Sequence, residues 1–390
     1  MITTSERYSH GLHPDTNILI GTGEIICIKD LTTNDHVVGS DGLCRPVLSI
    51  ESSFSNMYRI IPSKGNPFIC SNTFMLTLKG TKPFITTANS NTNKKFSVKY
   101  SQQGNIKRTS FATDVEAQNF LNTLPEDICE ISVYDYLLKN PDFKHRTFLY
   151  HPILNFTHQE VPFDPWIIGF WLGDGDSNGT GITTNDPPVV VCLNQKLPQY
   201  GLQLTKTSGK CRYNICGADE NFGQKGRNHM INVLNGLNMK NNKHIPDLYK
   251  LNSFEVRLGV LAGLIDSDGY RDVKGNYIEI MQLSDKLSDG IRYIASSLGF
   301  MVTHRKCMKS CPSNGEMSEG IYNRIMIFGD GMEHIPVILE RKKCLPRGIS
   351  KRATCQNFTI EHVGLGPYCG FDISGDGRFL MGDFTVANCK

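Results

Sequence analysis

The chain has 390 residues, of which 39% are hydrophobic and 20% charged, with a formal net charge of +3. That length allows more than one cored domain, and that composition excludes a disordered chain. So small a net charge names no partner, and no apolar run nears the ~20 residues needed to cross a bilayer.

The distribution of charge says more than its sum. From Ser52 to Thr113 there is no acidic residue, yet Arg59, Lys64, Lys79, Lys82, Lys94, Lys95, Lys99, Lys107 and Arg108 all fall there. A one-sign segment of that length points to a polyanionic partner. The bland alternative is a polar loop whose charges are merely solvated. Thirteen cysteines occur without a CxxC pair, which reads as reduced thiols in an intracellular protein without structural zinc. The opening MITTSERYSH lacks the apolar centre of a secretion signal, so the expected compartment is nuclear or cytoplasmic, not secreted.

In chain order, TNILIG, GEIICI, HVVGSDG and RPVLSI are short β-branched runs broken by Gly and Asp, the pattern of an all-β module. Lys82 to Thr113 is polar and basic, with Phe96 and Tyr100 set among the lysines. A weak helix signal in VEAQNFLNTL follows, then the strand-like ICEISVYDYLL. From about Asp164 the texture changes. PWIIGFWLGDG, NHMINVLNGLN, EVRLGVLAGLIDSDG and LSDGIRYIASSLGF read as helices, with YIEIMQL and RIMIFG as strands between them. After about Cys344 the β texture returns, and CGFDISGDGRFLMGDFTVAN holds two short strands around a Gly-Asp-Gly turn. β material at both ends brackets an α+β insert, which is the pattern of one domain interrupted by another.

The insert repeats itself. Ile167–Gly175 and Leu261–Gly269 share an apolar pair, a glycine, an apolar run and a terminal Asp-Gly. Gly169 and Gly263 would let two such helices pack closely. Their C-terminal ends would then meet and bring Asp174 beside Asp268. Carboxylates so placed repel each other, and the negative ends of two helix dipoles add to the repulsion. A divalent cation would relieve it. Oxygen-only ligands suit Mg2+, and carboxylate-held metals suit phosphodiester hydrolysis. One apolar helix ending in Asp-Gly is usually plain core with a glycine cap; two copies in one chain reverse that judgement.

Both segments resemble the motifs of LAGLIDADG homing endonucleases, and Leu261–Gly269 differs from the family name at one residue. The flanking β sequence resembles the HINT self-splicing domain of inteins. The combination is most similar to the family of the vacuolar-ATPase intein and the mating-type-switching endonuclease, over about residues 11 to 389. The resemblance implies a multi-domain protein, an all-β horseshoe-like HINT domain interrupted by an α+β, pseudo-two-fold endonuclease domain. Residues 1–10 would be flanking sequence. The HINT domain would take 11–81 and 345–389, with 126–156 contributing, a DNA-recognition arm 82–125, and the endonuclease 157–344. It also implies a monomer that cuts double-stranded DNA at a long asymmetric site with Mg2+.

In that family the acid before the last glycine of each motif holds metal. This matches Asp174 and Asp268, and leaves Asp176 and Asp266 as decoys. A catalytic lysine in each half matches Lys243 in KHIPDLY and Lys343 in ERKKC, with Lys342 as the second choice. The arm would place Lys94, Lys95, Lys99, Lys107 and Arg108 on phosphates, which position a protein without reading sequence. Arg341, Lys342, Lys343, Arg347, Lys351 and Arg352 form a second basic cluster expected to add such contacts.

For splicing, LHPDTNILI puts Gly11 at the first intein position, CSNTFMLTL puts Phe74 where a histidine belongs, and GDFTVANC puts Ala387 where the penultimate histidine belongs. Asn388, Cys389 and Asp372 fit the family pattern. Glycine has no nucleophilic atom, and neither Phe74 nor Ala387 can move a proton. The expectation is an endonuclease on a HINT scaffold that has lost its chemistry. The competing readings are a partly or fully active splicing element, and a nucleic-acid-binding relic that no longer cuts.

Overall fold

The computed structural model describes residues 10–89, 94–218, 228–313, 316–346 and 354–390. The chain divides into two compact units, Met1–Pro152 with Thr354–Lys390, and Ile153–Ala353. It leaves the first unit once and returns once, and each unit buries its own apolar cluster. No helix among the described residues is long and apolar enough to cross a membrane.

In the first unit, strands Cys44–Pro62 and Phe358–Ile373 pair antiparallel along nearly their whole length. His36–Val38 pairs with the start of the former and Phe68–Ser71 with its end. A second sheet is centred on Met75–Gly80. Ile128–Ser132 lies along one edge of that strand, and Thr147–Tyr150 and Val386–Asn388 share the other. Thr147–Tyr150 also pairs with Cys355–Gln356, so the outgoing and returning chain run side by side. The strand-like ICEISVYDYLL splits: the strand ends at Ser132 and helix Val133–Leu138 follows. The Ser132 hydroxyl accepts from Asp135 N–H at 3.0 Å, an N-cap that turns the chain from strand to helix.

The basic segment is ordered as a three-stranded antiparallel sheet, Phe84–Asn89, Lys94–Gln102 and Asn105–Phe111, with helix Asp114–Thr123 after it. Its second hairpin turns at Gln103 and Gly104, with φ of 49° and 73°, the left-handed pair a two-residue turn needs. Both turn amides donate to the Asp127 carboxylate, at 2.5 and 3.1 Å, which pins the turn to the unit.

The second unit repeats one motif. Helix Pro165–Asp174 precedes strand Gly181–Thr183, helix Pro187–Lys196 and strands Leu202–Lys206 and Arg212–Gly217. Helix Phe254–Asp268 precedes Gly269–Asp272, Tyr277–Gln282, helix Asp285–Ser297 and strands Met301–Ser313 and Glu316–Phe328. In the first half the last strand lies between the other two, and in the second it lies between Tyr277–Gln282 and Met301–Ser313. The match extends to detail: Gly269 pairs with Ile280, and Gly175 makes the corresponding bridge to Ile182. Ile182, Ile215, Leu202, Ile278, Ile280, Ile325 and Ile327 face the core. The opposite faces therefore carry Gln203, Thr205, Arg212 and Asn214 in one sheet, and Tyr270, Glu279, Arg305 and Arg324 in the other.

The unit boundaries lie outside the 157 and 344 read from the sequence. Leu154 belongs with the insert because its N–H donates to Ser297 O at 2.9 Å and its carbonyl accepts from the buried Arg257 at 2.6 Å. Leu345 does too, through paired bonds with the Asn276 side chain at 2.7 and 2.9 Å.

Candidate active site at the tips of the paired helices

The two repeat helices touch along their length, and glycine is the reason. A Cβ added at Gly169 would fall on the Val260 carbonyl, and one at Gly263 on the Trp166 carbonyl. No larger residue lets the backbones approach so closely. Each helix is apolar almost all round, as a helix buried on all sides must be. Each ends on its aspartate, with Gly175 and Gly269 as the next residue.

The tips meet. A Cβ on Gly173 would stand 3.1 Å from the Asp268 carboxyl carbon. Burial first, then the Asp268 charge, pushes the Asp174 carboxyl up to about 6. Burial also raises Asp268, and a 2.5 Å hydrogen bond from the Gln282 amide partly opposes it. Two cations flank the pair. Lys243 Nζ donates to the carbonyls of Gly173 and Gly175, at 3.1 and 2.6 Å, and lies 5.2 Å from the Trp171 ring centre. Lys342 Nζ donates to the carbonyls of Ile265, Asp266 and Ser267 at 2.9, 2.8 and 2.7 Å. Each ammonium thus caps the negative end of one helix. Burial lowers both lysines, and the nearby carboxylates oppose that shift.

Lys343, the second-half lysine chosen from the sequence, is elsewhere: it is half-buried and paired with Glu340. The correction has a geometric cause. The 3-10 turn Glu340–Lys342 aims Lys342 at the helix end and rotates its neighbour toward solvent. Asp176 pairs with Arg212. Asp266 is 2% exposed and accepts from Trp166 Nε1 and the amides of Ile338 and Leu339 at 2.8, 2.8 and 3.0 Å. Arg341 holds Asp186 with two bonds, 2.5 and 2.8 Å. Arg347, Lys351 and Arg352 lie outside the described residues. Sequence reasoning missed Gln282, because only strand register brings it to Asp268.

The arm sorts its cations by face. Phe96 lies opposite Phe111, Val98 opposite Thr109 and Tyr100 opposite Lys107, and Phe120 of the following helix packs on Tyr100 and Phe111. Lys107 is therefore on the helix-covered face. Lys95, Lys99 and Arg108 alternate onto the other, with Lys99 directly across from Arg108. Lys94 opens the middle strand.

The splicing positions converge in the first unit. The Gly11 N–H donates to Ser71 Oγ at 3.1 Å, and the Ser71 N–H to Gly11 O at 2.9 Å. Phe74 and Ala387 are both 2% exposed, and Ala387 lies across from Leu76. The Asn388 amide oxygen accepts from Lys390 N–H at 2.8 Å. Cys389 donates to Gly377 O at 3.2 Å, and burial pushes its thiol up to about 11. Asp372 is exposed and accepts from Ser49 at 2.8 Å. The His10 ring hydrogen-bonds the Cys389 carbonyl, so the two chain segments adjoin. A Cβ on Gly11 would meet the Cys369 carbonyl oxygen and the Tyr368 ring, at 2.5 Å for the latter.

Residues 12–121 match the family described as Hom_end-associated Hint, and residues 244–333 match the family described as Homing endonuclease. The homothallic switching endonuclease of Saccharomyces cerevisiae is 24% identical over 97% of this chain and 80% of that protein. The ATP-dependent DNA helicase Hel308 of Thermococcus kodakarensis is 27% identical over 38% of this chain but only 14% of its own length. Among solved structures, a mesophilic variant of the homing endonuclease I-DmoI is similar at 12% identity, 42% of this chain and 87% of that one, with a TM-score of 0.27. A Hint-type region followed by a homing-endonuclease region, with one relative similar over nearly the whole length, makes the chain similar to Hint-associated homing endonucleases.

Proposed function

We propose that this chain is a LAGLIDADG-type endonuclease that hydrolyses both strands of double-stranded DNA at a long asymmetric site with Mg2+, and that its Hint module no longer splices. The observation that carries the first part is the meeting of Asp174 and Asp268 at two helix tips, with Lys243 and Lys342 beside them. Two carboxylates raised by burial, Asp174 further by the Asp268 charge, are unfavourable alone, and their oxygen-only donor set fits a hard divalent cation. Asp174 and Asp268 would hold such a cation with carboxylate oxygens alone, leaving room for phosphate oxygens and water. Mg2+ held by Asp174 and Asp268 would supply positive charge to a phosphodiester.

The chain's own residues do the rest. Lys243 and Lys342 would set ammonium charge near the phosphate oxygens, where negative charge builds as the water oxygen bonds to phosphorus and gives its proton to solvent while the bond to the sugar oxygen breaks and that oxygen takes a proton from solvent. Gln282 fixes the Asp268 carboxylate. The outward sheet faces offer Gln203, Thr205, Arg212, Asn214, Tyr270, Arg305 and Arg324, side chains suited to base edges in a major groove. The open arm face, with Lys95, Lys99 and Arg108, suits phosphates. The internal repeat supplies a two-fold relation within one monomer, as a duplex with antiparallel strands requires.

Loss of splicing is supported by Gly11, Phe74 and Ala387. Backbone and ring atoms occupy the space a Gly11 side chain would need, and the other two positions are sealed by apolar groups. The test is purified protein with Mg2+ and a plasmid library of candidate sites. Linear product from one discrete site, absent with Asp268→Asn, is expected. Tight DNA binding without cutting would favour the relic, and a product smaller than the full chain by mass would restore splicing.

A further inference from the structure

We propose that Asp266 is a positioning residue for Lys342, not a metal ligand, and that it serves the cleavage of one DNA strand only. The inference rests on the endonuclease reading above and goes beyond it. Asp266 is buried among three donors. Trp166 Nε1 donates at 2.8 Å, Ile338 N–H at 2.8 Å and Leu339 N–H at 3.0 Å. Three charge-assisted bonds hold a buried carboxylate firmly and leave it little capacity for a metal. They also clamp the returning chain to the helix at Ile338 and Leu339. The turn that carries the lysine starts there, with Lys342 N–H bonded to Leu339 O at 2.8 Å. From that anchor Lys342 Nζ reaches the Asp266 carbonyl and its two neighbours. One residue thus fixes the lysine's backbone with its side chain and the ammonium with its main chain.

The other half lacks this device. The position two before the metal-holding aspartate is Leu172 there, and Lys243 is held by two carbonyls and the Trp171 ring. The repeat gives each half one lysine, and antiparallel strands give each lysine one scissile phosphate. Damage to the clamp should therefore appear on one strand. Asp266→Asn keeps the shape but turns an amide N–H toward a backbone N–H, so one donor loses its acceptor and Lys342 loses its register.

The experiment uses a supercoiled plasmid carrying the site recovered above, with each strand end-labelled in a parallel digest. Wild type should give linear DNA. Asp266→Asn should accumulate nicked circles, one strand slowed by about 10–100-fold and the other within about 2-fold of wild type. Lys342→Ala should spare the same strand, and the double variant should be no slower than Lys342→Ala alone. Equal slowing of both strands, or none, overturns the inference, because a merely structural carboxylate has no strand preference. If Asp266→Asn does not fold, Trp166→Phe removes one donor and should show a weaker bias on the same strand; equal slowing there also overturns it. A wild-type chain that never cuts defeats the endonuclease reading and this inference together. A wild type that cuts beside an unbiased Asp266→Asn defeats the inference alone.

Discussion

The molecule holds two candidate reaction centres, and they have relaxed in opposite ways. At three of the splicing positions the side chain packs and carries no group that moves a proton or attacks a carbonyl: Gly11 closes against Cys369 and Tyr368, and Phe74 and Ala387 join the core. At the helix tips nothing has relaxed. Two carboxylates are raised by burial, and two ammonium groups are lowered by it. A folded chain tolerates such strain where a ligand relieves it, and loses it by ordinary packing where none does. The contrast sets a centre that a bound cation would stabilise against one that packing alone stabilises.

The largest effect expected is at the helix tips. Asp174→Asn or Asp268→Asn should lower cleavage by at least about 100-fold while DNA binding, measured by gel shift, stays near wild type. The same changes should stabilise the metal-free fold. A carboxyl raised to about 6 contributes most below its unfolded value of 3.8 and loses that contribution as pH climbs through 6. At pH 7.5 without metal, Asp174→Asn should therefore melt about 2–4 °C higher. Adding Mg2+ should raise the melting temperature of wild type and not of the variant. A variant that cuts normally, or a wild type whose melting ignores Mg2+, would break the comparison.

The positions around Gly11 should respond to substitution as a packed core does. Gly11→Cys should destabilise by about 1–3 kcal/mol in urea unfolding, because the new side chain has no room. Combined with Phe74→His and Ala387→His it should still leave the intact mass unchanged. Any ligated or truncated product would show that the site is dormant, not dismantled.

How much of this the sequence could reveal follows from the range of the interactions. The helix repeat was legible because its signal is local: spacing, small residues and the Asp-Gly endings all lie within nine residues. Asp174 and Asp268 could be singled out for the same reason. Lys342 could not be told from Lys343, since the choice depends on a turn anchored by Asp266, 76 residues back in sequence. Gln282 had no sequence signal at all. PPVVVCLNQK, β-branched and strand-like in composition, is a helix because proline starts it and Val189 and Leu193 face the core. There tertiary packing overrides propensity. ICEISVYDYLL misled through a cap: one serine ends the strand and starts a helix.

The arm offers the subtlest version of the comparison, because its two faces differ within one sheet. Lys107 shares a face with Tyr100 and the covering helix. Lys99 and Arg108 are cross-strand neighbours of like charge, and Arg108 donates to Ser97, not to a carboxylate. Like charges directly opposite each other destabilise a sheet unless an anion lies across them. The open face thus sets two like charges side by side, and a DNA phosphate across them would be favourable. Replacing Lys95, Lys99 and Arg108 together by alanine should reduce the slope of log affinity against log salt by about 2–3, since each phosphate a cation neutralises adds roughly 0.9 to that slope. Lys107→Ala should leave the slope within about 0.3 of wild type by the same rule. Fluorescence anisotropy across a salt series measures both. If the triple variant keeps the full slope, this face does not touch DNA. If Lys107→Ala costs as much as any single member of the triple, the division of the sheet into a packed face and a binding face is wrong.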